Sequence, residues 1–335
     1  MSKSSSNPKH TRALNRRDAV SVFLIRYAVF IFFFFIYLAI AIYRPVFLSP
    51  ANVADIMLTA SLVSFVSFGL SIVIAAGGID LSFPNIAGYG AMLSTYLMVE
   101  VGHPVWVGVV AGVSVGVIIG AFNGLLVTRL YINSFIATLG TLFILSGFLY
   151  WLSGGQSMQI LPQDFEYLGR GTLLNIRMPV YFMGGVFILC YLFMEKTRWG
   201  RQITLVGGNI EAARLSGVNI RVITLLSFII CGLLSPLSGI LQAASAGAAA
   251  VDIGNRFMVP AFAAAMMGTV IFQGKNVIVG TLFGVIFVES LNNASFILGV
   301  SPEIRRVVPG IVLLATIAFN YYAKRAISEM RVHAH

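Results

Sequence analysis

The sequence predicts an all-α integral membrane protein of about ten transmembrane helices, in two inverted five-helix halves with broken or re-entrant segments. Three observations carry this. The 335-residue chain is 58% hydrophobic and only 10% charged, with a mean hydropathy of +0.90, whereas a soluble domain is about a quarter charged. Its apolar stretches are continuous runs, unlike the short alternating segments of a membrane β-barrel. Five runs lie on each side of one basic polar interruption at 195–221, and an odd number per half sets the halves in opposite orientations.

In chain order, residues 1–20 form a polar, basic arm expected to be disordered and cytoplasmic. Spans are expected at 21–43, 53–76, 83–99, 105–128, 134–152, 179–194, 222–244, 257–272, 277–298 and 306–323. They make one transmembrane domain, 21–323, with halves 21–152 and 179–323, followed by a cytoplasmic tail, 324–335. The first run is too long for a signal-peptide core and lacks a small-residue cleavage site, so it is expected to stay as an anchor. With the N-terminus inside, sixteen of the 22 Lys and Arg residues fall on the inner side. Only Arg44, Arg170, Arg177, Arg256, Arg305 and Arg306 fall outside, which places both termini in the cytoplasm.

The fourth span carries Gly108, Gly112, Gly116, Gly120 and Gly124, one every fourth residue. That row drifts slowly around a 3.6-residue helix and makes a slanting groove, read as a site of close helix packing. Two segments read as broken helices. Gly77-Gly78-Ile79-Asp80-Leu81-Ser82 interrupts an apolar run before Pro84, and 243–254 is small and weakly apolar. Asp80 is placed near a membrane edge, either capping the next helix or acting in function. Residues 153–177 form the longest outer loop, either a docking surface or simply solvated.

The stretch 195–221 organises the chain. It carries Lys196, Arg198, Arg201, Arg214 and Arg221 against Glu195 and Glu211, so the positive-inside rule makes it cytoplasmic. Asn209 is expected to cap a short helix over 210–216 and Gly217 to end it in a left-handed turn. Glu211 early and Arg214 late suit the helix dipole. Ala212, Ala213 and Ser216 would keep its surface small enough for another protein to approach closely. It reads as a docking element, or as an ordinary charged connector.

No enzyme constellation is present: there is no HExxH, no Cys/His cluster and no GxSxG. The nearest approach to a phosphate loop, Gly268 to Asn276, is one residue too long and has Asn276 where Ser or Thr must meet magnesium. Cys190 and Cys231 lie inside apolar runs, as buried thiols with no disulfide or metal. The net charge of +10 is spread along membrane edges, which argues against nucleic acid. Glu289, Asn292 and Asn293 share a helical face in the ninth span. Contact with a substrate, a proton relay and a neutral hydrogen-bonded cluster all remain open for Glu289.

Taken together, Gly77 to Ser82 (GGIDLS), Phe135 to Gly140 (FIATLG), Gly207 to Asn219 (GGNIEAARLSGVN), Val279 to Gly284 (VGTLFG) and Leu291-Asn292-Asn293 resemble the membrane subunits of bacterial ABC importers for monosaccharides, of the ribose, xylose and galactose type. The resemblance covers about 46–320. It implies a permease in the bacterial inner membrane, paired with a second permease that is the same or homologous. A cytoplasmic ABC ATPase would carry ATP and Mg, and a periplasmic sugar-binding protein would dock outside. The chain itself would bind no cofactor or metal. Gly207, Gly208, Asn209, Glu211, Ala212, Arg214 and Gly217 would form the element that couples to the ATPase. The chain departs from the family pattern at Phe83-Pro84-Asn85, where Val-Gly-Ser is usual. It departs again at Met267-Gly268, at Gln273-Gly274-Lys275-Asn276 and at Glu289. Asp80, Ser82, Asn85, Asn123, Asn292, Asn293 and Glu289 are the candidate polar contacts of a pathway for a sugar or polyol. The competing reading is a stand-alone proton-coupled transporter with Glu289 or Asp80 as the proton site.

Overall fold

The second apolar run becomes α1, Pro50–Ala75, and the helices over Met178–Lys196, Ile220–Ala246, Met258–Ile271 and Val277–Ile297 pack around it. In this computed structural model the described residues are 35–159, 161–271 and 276–318. The expected N-terminal arm, most of the first span, Lys275 and the C-terminal tail lie outside them. Ser49 caps α1, its hydroxyl accepting from the Asn52 N–H at 3.3 Å, and Pro50 occupies the first turn, where its missing N–H costs nothing. Across its most apolar window α1 is 83% buried, against 22% for the helices over Val105–Arg129 and Met178–Lys196, so α1 is encased while those two keep broad outward faces. Its Ser61, Ser64, Ser67 and Ser71 are all buried. Each donates to a carbonyl of its own helix, at 2.6–2.8 Å, so no polar hydrogen is left open.

The elements that follow are α2 (Phe83–Val99), α3 (Val105–Arg129), α4 (Ser134–Ser153), β1 (Met158–Gln159), α5 (Gln163–Arg170), β2 (Thr172–Leu173) and β3 (Ile176–Arg177). Then come α6 (Met178–Lys196), α7 (Arg198–Gly208), α8 (Ile210–Leu215), α9 (Ile220–Ala246), β4 (Ala248–Ala249), α10 (Met258–Ile271), α11 (Val277–Ile297) and the short α12 (Pro302–Arg305). Residues 35–43 and 308–318 are also helical. Among the described residues six helices are long and apolar enough to cross a membrane: α1, α3, α4, α6, α9 and α11. The fold is that of an all-α membrane protein.

Lipid tails are as apolar as leucine, so packing rather than transfer from water has to hold such helices together. The glycine row of α3 does this. Gly108, Gly112, Gly116, Gly120 and Gly124 are all buried. A Cβ on Gly108 would stand 2.7 Å from the Ser94 carbonyl of α2, and one on Gly112 would stand 2.6 Å from that of Gly90. Lower down, Gly116 meets the Gly232 backbone and the Pro236 ring of α9, Gly120 meets Phe228 and Gly232, and Gly124 meets Leu225. One groove therefore takes two helices, α2 in its first half and α9 in its second.

The far end is closed by α5, whose Arg170 guanidinium donates to the Ser245 carbonyl at 2.9 Å and pairs with Glu166 at 2.9 Å. Strand β1 pairs antiparallel with β4, and β2 with β3. The expected outer loop at 153–177 thus holds a helix and short strands. After α9 the chain turns inward through an irregular stretch. Gly254 abuts the Pro84 carbonyl, and Phe257 is fully buried. Protein covers part of this stretch, with Ala249, Ile253, Gly254 and Phe257 buried and Asp252, Asn255 and Arg256 exposed.

Candidate functional site

The polar stretch between α6 and α9 is a helical bracket rather than a loop. Thr197 caps α7 through the Gly200 N–H at 3.3 Å, and Gly200, Ile203 and Val206 turn one face inward. Ile203, Val206 and Ala213 join Phe68, Ile72 and Ala76 of the α1 end, Met194 of α6 and Ile223 of α9 in one apolar cluster. The bracket is thereby fixed to three spans.

Within it, α8 runs close to its expected bounds. The Asn209 Oδ1 accepts from the Ala212 N–H at 2.9 Å, and Gly217 takes φ +75°. Its surface differs from the expectation of a small one. Ala213 is fully buried, while Leu215 is 88% exposed and Ile210 47% exposed, on either side of an exposed Glu211–Arg214 pair at 3.2 Å. The sequence does not single out Leu215 and Ile210, because a six-residue helix has too few turns for periodicity to say which side faces in. Leu215 is thus an exposed apolar side chain on a capped helix whose other side is anchored in the core. Beside it, Met194, Glu195, Arg201, Leu205, Gly208 and Asn209 line a cleft of about 430 Å³.

The Gly77–Ser82 break lies directly under this bracket. The α1 helix ends at Ala75, Gly77 turns with φ +83°, and a Cβ there would stand 3.4 Å from the Gly207 Cα. The chain then climbs back into the protein without regular secondary structure, and side chains of α4 serve its backbone. The Ile79 N–H donates to the Ser134 Oγ at 3.1 Å and the Leu81 N–H to the Thr138 Oγ1 at 3.0 Å. Ser134 and Thr138 are one turn apart, so a helix face supplies what a neighbouring strand would supply elsewhere. The sequence shows them only as one hydroxyl four residues after another at the start of α4.

Asp80, expected near a membrane edge, packs against the middle of α9. It is fully buried, with its carboxylate against the Cys231 thiol midway along α9, because the chain re-enters the protein after Gly78. Its Oδ1 accepts from the Ser82 N–H at 2.8 Å and from the Ser82 hydroxyl at 2.6 Å, which closes the turn into α2. The Asn123 amide donates to the Ser82 Oγ at 2.8 Å, and the Thr141 hydroxyl donates to the Asn123 Oδ1 at 2.6 Å. One buried chain of hydrogen bonds therefore joins the break to α3 and α4. Asn85 donates to the Leu142 carbonyl and to Ser146, at 2.7 and 2.6 Å.

Glu289, Asn292 and Asn293 are not part of this cluster. They sit at the opposite end of α1. Asn293 donates to Asn52 at 2.9 Å, and Asn292 lies 3.4 Å from the largely buried Glu289 carboxylate. The structure thus gathers Asp80, Ser82 and Asn123 in one hydrogen-bonded chain, sets Asn85 against α4, and leaves the other three toward the opposite end of α1.

Residues 52–317 match the family model described as the permease component of a branched-chain amino acid transport system. The chain belongs to this permease family. It is 32% identical over 294 residues to the ribose import permease protein RbsC of Bacillus subtilis, covering 87% of this chain and 91% of that protein. The RbsC protein of Escherichia coli K12 is 33% identical over 279 residues, 82% of this chain and 86% of its own. The L-arabinose transport system permease protein AraH of E. coli K12 is 31% identical over 304 residues, 90% and 92% of the two chains. No solved structure matches the chain. The chain is therefore a multi-pass membrane permease subunit of an ABC importer, and ATP hydrolysis belongs to a separate ATPase.

Proposed function

We propose that this permease carries a pentose or a closely related sugar or polyol across the bacterial inner membrane, as one of a pair of permease chains. The α8 projection docks in a groove of a cytoplasmic ATPase, which holds the ATP and Mg. A periplasmic sugar-binding protein delivers the cargo at the α5 end. The single observation that carries this reading is Leu215, exposed at the tip of a capped helix whose opposite side is fixed in the core. The relatives named for ribose and arabinose supply the substrate class. The basic bias of 195–221 supports α8 inside and both termini inside, with ten spans in two inverted halves.

Gly207, Gly208, Asn209, Glu211, Ala212, Arg214 and Gly217 build and flank the coupling element. In this reading Asp80, Ser82 and Asn123 shape the pathway from behind by fixing the break. Asn292 and Asn293, partly exposed, and the buried Asn85 are the further polar candidates for contact with the cargo. Glu289 belongs to a local hydrogen-bonded cluster with Asn292. Nothing supports the proton-coupled alternative, since the Asp80 and Glu289 carboxylates are both engaged locally.

Proteoliposomes holding the permease, the ATPase and the binding protein test this reading. Uptake of labelled ribose or arabinose should need ATP and all three components. Accumulation by the permease alone under a pH gradient would overturn it.

A further inference from the structure

Gly207 and Gly208 are consecutive glycines in the last turn of α7, and they differ in one respect. A Cβ on Gly208 would meet nothing within 4 Å. A Cβ on Gly207 would overlap the Ala75 carbonyl and stand 3.0 Å from the Gly77 nitrogen. The obstacle is main chain, so no side chain can swing aside to make room. One edge of Gly207 is open to solvent, yet its Cβ direction is filled by the end of α1.

We propose that Gly207 is the contact through which the docking bracket moves the membrane core. Its bare α-carbon lets α7 rest on the Ala75–Gly77 turn, and that turn is the hinge of the α1–α2 break. From there the Ile79 and Leu81 N–H bonds to Ser134 and Thr138 carry displacement into α4, and the Ser82–Asn123–Thr141 chain carries it into α3. Gly207 is a positioning residue that faces inward and touches the core rather than the ATPase. The proposal rests on α8 being the ATPase docking element. Coupling needs a physical element that both sites bias, and the break touches the bracket at Gly77 and the α3 and α4 helices through Leu81 and Ser82.

The test compares Gly207→Ala with Gly185→Ala in the full transporter, permease with ATPase and binding protein. Gly185 lies within α6, away from the docking bracket, and a Cβ there would also meet nothing within 4 Å. The two changes are chemically identical, with the same gain in helix propensity. Gly185→Ala should transport as the unaltered protein does. Gly207→Ala should still co-purify with the ATPase and hydrolyse ATP, but should lose roughly tenfold in transport per ATP consumed, the size of an ordinary coupling change. Amide hydrogen exchange over residues 75–82 supplies a readout that a merely structural role would not move. In the unaltered complex, exchange there should change between the nucleotide-free state and the state trapped with ATP and vanadate. Gly185→Ala should keep that change and Gly207→Ala should lose it.

Equal transport by both variants, or equal loss, overturns the proposal. So does an unaltered complex whose 75–82 exchange ignores nucleotide, which settles the matter even if Gly207→Ala does not assemble. If the unaltered permease binds no ATPase and moves no sugar, the functional reading fails instead.

Discussion

Replacing Asp80 separates a carboxylate that organises the fold from one that works by its charge. Asp80→Ala removes the acceptor of two hydrogen bonds, at 2.8 and 2.6 Å, in a site with no access to water. The Ser82 hydroxyl can rotate towards another acceptor, but the Ser82 N–H cannot. An orphaned buried donor costs about 1–3 kcal/mol, and with the second bond the total comes to about 2–4 kcal/mol. Asp80→Asn keeps Oδ1 in place and should cost under about 1 kcal/mol. Asn123→Ala should fall between them, at about 1–2 kcal/mol plus lost packing, because Ser82 still donates to Asp80 and Thr141 still donates to the Ala137 carbonyl. The chain supplies its own probe, since Cys190 and Cys231 are buried and react with a thiol dye only on unfolding. Dye-monitored melting in detergent should show Asp80→Ala lowered by roughly 5–10 °C and Asp80→Asn by only a few degrees. If the two Asp80 variants melt alike and both abolish transport, the carboxylate acts through its charge and the packing account is refuted.

Leu215→Ala and Arg214→Ala should leave melting unchanged. Leu215 is exposed, and an exposed ion pair such as Glu211–Arg214 contributes only about 0–1 kcal/mol. Both should weaken ATPase co-purification, and unchanged co-purification with wild-type transport would remove α8 from the interface. Gly116→Leu should prevent folding, because it drives a side chain into the Gly232 backbone and the Pro236 ring, whereas Gly140→Leu, with nothing within 4 Å, should fold and melt normally. With both native thiols replaced by serine, Leu215→Cys should react with an impermeant thiol reagent only in inside-out vesicles, and Leu174→Cys, 84% exposed at the far end, only in intact cells. The opposite pattern would invert the topology.

What could be read in the sequence was whatever the backbone imposes locally. Asn209 and Gly217 mark the ends of α8 because a cap and a left-handed turn each need particular residues. The glycine row declares close packing because only glycine lets helix axes approach so nearly. What stayed hidden depends on distant parts of the chain. Hydropathy measures how long a run is and not how deep its neighbours lie. Asp80, next to two glycines, therefore reads as a boundary residue although the chain bends back into the interior there. Composition gives no sign that Ser134 and Thr138 serve the backbone of Ile79 and Leu81, since those partners are more than fifty residues apart. The α7 helix was obscured by its own charges, because Arg198 and Arg201 flank the inward-facing Gly200, Ile203 and Val206.

The way α1 satisfies its own serines bears on how the chain is made. Residues 50–75 leave the ribosome long before 220–246, the segment that later covers much of their surface. For that interval α1 must wait in lipid without its neighbours. Because Ser61, Ser64, Ser67 and Ser71 each bond a carbonyl of their own helix, it can do so with no polar hydrogen unmet. The innermost helix of the finished protein is thus equipped to be among its earliest settled residents, and later spans can close around it without waiting for a chaperone to shield it.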